Sequence, residues 1–172
     1  MKITLAQAIQ LSSQLDKDVH KSKMALITEG IITFEHGQPY ETTDKVNIVY
    51  AELQTLMDHI FELKSKIMQT NMVTTVDYEL NGHTLNVYEA ITLVKQYREI
   101  IERLESLSMI PEKPRLERNF TESCYKVANF NVSDYAKELK KYKRMANRLS
   151  TEIDKVNYTQ LIDVDWADEY IG

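Results

Sequence analysis

Seven apolar residues, Val46, Val49, Leu53, Leu56, Ile60, Leu63 and Ile67, follow one another at steps of three and four without a fault. A stripe that returns every 3.5 residues keeps to one side of a helix and faces the same neighbour along its whole length. The spacing predicts a helix over about 44–70. At 1.5 Å per residue such a helix is roughly 40 Å long, so its partner must be long too. Glycine (4) and proline (3) are scarce among the 172 residues, as suits long helices rather than many tight turns.

Three further helices show the same rhythm. Leu5, Ala8, Ser12, Leu15, Val19, Ser22 and Leu26 form a stripe that Thr4 and Gln7 introduce as a capping box and Gly30 ends. A third helix over 87–108 carries Val87, Ala90, Val94, Tyr97, Ile101 and Leu104, with Asn86 and Glu89 placed to cap it. Ile91, Leu93, Ile100 and Leu107 widen its apolar face beyond a narrow seam. Pro111 and Pro114 stop it. A fourth helix, capped by Asn131 or Ser133 and running to about Asn157, carries Val132, Tyr135, Leu139, Tyr142, Ala146, Leu149, Ile153 and Val156.

The connections are less regular. Ile31–Phe34 has strand-like composition, and His36–Pro39 reads as a turn. Val76, Tyr78 and Leu80 alternate before Asn81-Gly82, the signal of a small β-hairpin over about 76–85. Residues 111–130 read as an irregular excursion, extended around Cys124–Phe130. The expected fold is all-α: long antiparallel helical hairpins in a four-helix, coiled-coil-like arrangement with a minor β-hairpin. Residues 1–158 would form the helical domain and 159–172 an acidic, aromatic tail.

Composition narrows the function. A net charge of −5 argues against a general nucleic-acid coat. Cys124 is the only cysteine, so neither an intrachain disulfide nor a cysteine zinc site can form; a half-buried strand position is expected for it. The start of the chain turns polar too soon for an export signal, and no apolar run approaches the ~20 residues of a membrane span. A cytoplasmic protein without membrane contact is expected.

Catalytic patterns are missing. His20, His36, His59 and His83 have no glutamate three residues before them, as a carboxylate-bridged di-iron bundle requires. Asp58, His59 and Glu62 share one helical turn but lack a second histidine at the spacing a zinc helix uses, so they read as a solvated face. The dispersed glycines exclude a phosphate-cradling loop. Neither a metal nor a cofactor is expected, and an enzyme is not.

Surface features remain. Lys137, Lys140, Lys141, Arg144 and Arg148 form a basic stripe on the outer side of the last helix. It could be a solvated face, follow a phosphate backbone, or be neutralised by the acidic tail. Trp166 and Tyr170 stand one turn apart among Asp163, Asp165, Asp168 and Glu169. They could anchor a partner or dock on the chain's own helices. Tyr97, Tyr135 and Tyr142 read as core.

Several short motifs occur in a telling order: Met1-Lys2-Ile3 before a Leu/Ala/Ile helix, Ile67-Met68-Gln69-Thr70-Asn71 then Thr74, Gly82-His83-Thr84-Leu85, and Ile153-Asp154-Lys155-Val156-Asn157-Tyr158 then Leu161-Ile162. Over roughly 1–162 the chain resembles a family of short helical bacterial proteins, some labelled septicolysin. The resemblance implies a long helical hairpin fold and an oligomer. The label implies a cytolysin, which the missing export and insertion segments disfavour. The stretch 112–130 lacks the family's Arg- and Tyr-rich linker, and the tail past Ile162 is an addition.

The function expected is that of a homo-oligomeric structural or protein-interaction module. Its candidate contact residues are Lys137, Lys140, Lys141, Arg144, Arg148, Trp166 and Tyr170. A nucleic-acid-binding module using the basic stripe is the alternative.

Overall fold

The structure, a computed structural model, describes residues 1–39, 41, 43–117 and 124–171. Four helices, α1 (Leu5–Glu29), α2 (Lys45–Val73), α3 (Val87–Ser108) and α4 (Val132–Thr159), carry the fold. These helices make up most of the chain, and the strands form only small antiparallel pairs. The all-α fold with a minor β-hairpin is therefore what this sequence forms. No helix among the described residues is long and apolar enough to cross a membrane.

Two compact units share the chain, 1–71 with 157–172, and 72–156. The chain's last residues pack with its first. In the first unit, β1 (Lys2–Thr4) pairs antiparallel with β6 (Leu161–Asp163), Ile3 opposite Ile162. The Met1 amino group donates to the Val164 carbonyl at 2.9 Å, and the Leu5 amide to that of Gln160 at 2.9 Å. Ile3, Leu5, Ile162 and Val164 are buried beneath this clasp.

The Thr4–Gln7 capping box starts α1 with both reciprocal bonds made. Gly30 ends it in a right-handed conformation, its amide bonded to the Leu26 carbonyl. Ion pairs from Lys45 to Glu29 and from Lys64 to Asp16 show that α1 and α2 run antiparallel. Every member of the Val46–Ile67 stripe is at least half-buried, and Leu53 and Leu63 are fully inside. Ile31–Phe34 forms no strand. Its β-branched composition finds no pairing edge among the described residues, and strand propensity without an edge sets no backbone.

The second unit begins with the hairpin β2 (Thr75–Leu80) and β3 (His83–Asn86). Asn81 and Gly82 turn it with positive φ of 55° and 78°, the conformation that favours these two residues. Asn86 and Glu89 cap α3 reciprocally. Lys143 reaches Glu105 at 2.6 Å and Arg98 reaches Ser150 at 3.5 Å, so α3 and α4 are antiparallel. Val76, Tyr78, Leu85, Val87, Ala90, Val94, Tyr97, Ala146, Leu149 and Ile153 form one buried cluster.

Asn131 rather than Ser133 caps α4, its side-chain oxygen accepting from the Ser133 amide at 3.0 Å. Within the excursion, β4 (Arg115–Glu117) pairs with β5 (Cys124–Lys126). Residues 118–123 and the side chain of Cys124, with its expected half-burial, lie outside the described residues.

Candidate functional site

A set of interacting polar and aromatic side chains joins α2 to the chain's last residues. His59, Glu62 and Lys66 lie along one side of α2, at spacings of three and four. After β6, a short 3-10 turn (Ala167–Glu169) carries Trp166 and Tyr170 at its two ends. Ala167 is fully buried and Val164 anchors the approach, so the turn holds both rings over α2.

The contacts are specific. The indole of Trp166 stacks on the His59 imidazole, with centroids 4.2 Å apart and planes 7° from parallel. Its Nε1–H donates to Glu62 Oε2 at 2.8 Å. The Tyr170 hydroxyl lies 3.1 Å from His59 Nδ1, and the Tyr170 ring meets both neighbours edge-on. Lys66 Nζ bonds Glu62 Oε1 at 2.6 Å and the Asp163 carbonyl at 2.8 Å.

The electrostatics follow from these bonds. The Lys66 ammonium and then the Trp166 N–H hold the Glu62 carboxyl below its ordinary pKa. Burial, with Glu169 and Asp18 nearby, pushes the Tyr170 hydroxyl up. An ionised Glu62 suits a hydrogen-bond acceptor and not a general acid. His59 has Nδ1 engaged and one face covered. The cluster is a clasp whose polar groups hold one another. A depression of about 230 Å³ beside it is lined by Gln7, Gln10, Leu11, Gln14, Tyr170 and Ile171. Among the described residues, no charged side chain lines it that could orient an ionic ligand.

Trp166 and Tyr170, read from sequence as partner anchors or as self-docking aromatics, therefore sit on the chain's own α2. Asp58, His59 and Glu62, read as a solvated face, divide: Asp58 is exposed while His59 and Glu62 serve the clasp. Only one signal marked these two, polar residues flanking an otherwise apolar helix, and it names no partner. No group of three or more His, Cys, Asp or Glu side chains among the described residues is placed to hold a metal ion.

The basic stripe is elsewhere, on α4. Lys137, Lys140, Lys141, Arg144 and Arg148 are all exposed. Lys137 pairs with Asp134 at 3.2 Å and Lys141 with Glu138 at 3.3 Å. The Arg144 Nε–H donates to the Lys140 carbonyl at 3.3 Å. The Arg148 guanidinium lies 5.6 Å over the Tyr78 ring, a cation–π geometry. The tyrosines expected in the core divide: Tyr97 is buried against Tyr142, while Tyr135 is partly exposed and meets Phe130 edge-on.

No family model matches the chain, and no curated protein matches it. Its fold is similar to the crystal structure of a functionally unknown conserved protein from Corynebacterium diphtheriae. The two are 17% identical and superpose with a TM-score of 0.72, over 95% of this chain and 100% of that one. This likeness shows that the two chains share a fold.

Proposed function

We propose that this protein is a non-enzymatic, homo-oligomeric helical module of the cytoplasm that works through its surfaces, as a structural or protein-interaction element. One observation carries the reading: large apolar side chains of α2 remain exposed although the helix already has a buried stripe. Exposed apolar area contiguous along a helix is surface waiting for a partner. The clasp supports the reading too, since its polar groups are committed to one another. A single cysteine suits a reducing compartment.

Light scattering on the size-fractionated protein tests the reading. The expected mass exceeds that of one chain at micromolar concentration. A monomer at every concentration would refute it.

A second reading, nucleic-acid binding along α4, is favoured by the exposure of all five basic residues. It is weakened by Asp134 and Glu138, which already face two of them. Fluorescence anisotropy with a labelled duplex separates the readings. Binding at low salt that disappears in K140E/R144E would support the second, and no binding at low salt would remove it.

A further inference from the structure

A second heptad seam runs along α2. Tyr50, Met57, Phe61 and Met68 are 53%, 47%, 76% and 55% exposed. At 100° per residue they lie on one line, roughly 100° round the helix from the buried stripe. Gln54 and Lys64, both exposed, complete the line at the intervening positions. The seam then reads 50, 54, 57, 61, 64, 68, with steps of four, three, four, three and four. Its pattern is apolar, polar, apolar, apolar, polar, apolar.

That pattern is the same in both directions. We infer that a second copy of this chain docks here, α2 against α2, antiparallel about a two-fold axis level with residue 59. The inference rests on the homo-oligomer reading and names its surface and register. In this register Tyr50 of one copy meets Met68 of the other, Met57 meets Phe61, and Gln54 meets Lys64. A two-fold interface uses one patch twice and needs such self-complementarity. Antiparallel helix pairs match these alternate seam positions across the axis.

The polar pair decides between the two directions. Parallel helices would set Lys64 against Lys64 inside the seam, two like charges in a partly dried layer. Antiparallel helices set Lys64 against the Gln54 side chain, whose carbonyl can accept from the ammonium. Lys64 Nζ also keeps Asp16 Oδ1 at 2.9 Å.

The area is sufficient. At roughly 200 Å² for each large side chain, the four apolar residues expose about 450 Å² per copy. With Gln54 and Lys64 the two copies together cover about 1,200 Å², the lower edge of specific interfaces. The seam is about 27 Å long.

Single-cysteine variants Tyr50→Cys and Met68→Cys, each in a Cys124→Ser background, test the register. Mixed under mild oxidation, the two are expected to form a disulfide between different copies, while neither links to itself. Self-linking of either variant alone would show parallel pairing and overturn the inference. A dimer by light scattering that yields no link in the mixture would place the interface elsewhere, sinking this inference and leaving the oligomer reading intact. A monomer would sink both. Phe61→Glu, at a side chain the single copy leaves exposed, is expected to keep its helical circular dichroism and to weaken dimerisation at least tenfold. Undiminished dimerisation of Phe61→Glu would overturn the inference as well.

Discussion

Removing Trp166 should loosen the chain's two ends from α2 at a cost the geometry sets. Truncating a fully buried tryptophan to alanine costs about 3–5 kcal/mol. Trp166 is only half-buried, so packing and its stack on His59 supply about 2 kcal/mol. Its N–H bond to the ionised Glu62 adds about 1 kcal/mol in this partly wet position. Trp166→Ala should therefore lose about 3 kcal/mol, and Trp166→Phe, which keeps most of the ring, about 1 kcal/mol. Urea unfolding followed by far-ultraviolet circular dichroism measures both. The double-mutant cycle of Trp166→Phe with Glu62→Ala, which leaves no acceptor, isolates the bond, with an expected coupling of about 1 kcal/mol. The carboxyl of Glu62 is lowered in the folded chain. Its contribution is thus present above the ordinary carboxylate pKa and fades as pH falls through the depressed folded value. Glu62→Gln should flatten that acid limb. A coupling below about 0.3 kcal/mol, with an unchanged acid limb, would refute the view that these contacts hold the ends.

Three further outcomes follow from single positions. Leu63→Ala should cost about 3 kcal/mol by leaving a cavity at a fully buried site, read as a lower urea midpoint. The Tyr97 hydroxyl is pushed up to about 12 by burial and by its bond with Tyr78. Above the ordinary tyrosine value the unfolded chain ionises first, so stability should fall as pH rises from about 10 towards 12, and Tyr97→Phe should lessen that fall. Gly82→Ala places a side chain at φ +78° and should cost about 1 kcal/mol, seen as a lower melting temperature.

Local and long-period features were legible in the sequence, and pairings between distant segments were not. The capping boxes at Thr4 and Asn86, the stripe of α2 and the Asn81-Gly82 turn each depend on neighbours within four residues or on a repeat sustained over many turns. The pairing of Lys2–Thr4 with Leu161–Asp163 depends on neither. Three residues carry no measurable alternation, and the partner lies at the far end of the chain. The clasp shows the same limit. Both halves were visible, Trp166 and Tyr170 as aromatics among acids, His59 and Glu62 as polar residues on α2. Only folding shows that the ends of the chain meet and bring the rings down on that turn of helix. Ile31–Phe34 fails in the opposite sense, having the composition of a strand and forming none.

The two stripes of α2 show why spacing alone cannot assign a partner. Both step by threes and fours, so both are consistent with a helix packed along its length. They differ in interruption. The Val46–Ile67 stripe is apolar at every step, as suits a seam dried during folding of one chain, where an unpaired polar group would cost about 1–3 kcal/mol. The Tyr50–Met68 stripe admits Gln54 and Lys64, which water can satisfy while the surface is open. On the proposed pairing these two residues then meet each other. A continuous apolar seam there would favour association in any direction and register. Two polar residues placed symmetrically about residue 59 penalise every arrangement that sets lysine against lysine or buries one unpaired. The specificity of the interface would then come from its two least apolar positions, and its affinity from the four around them.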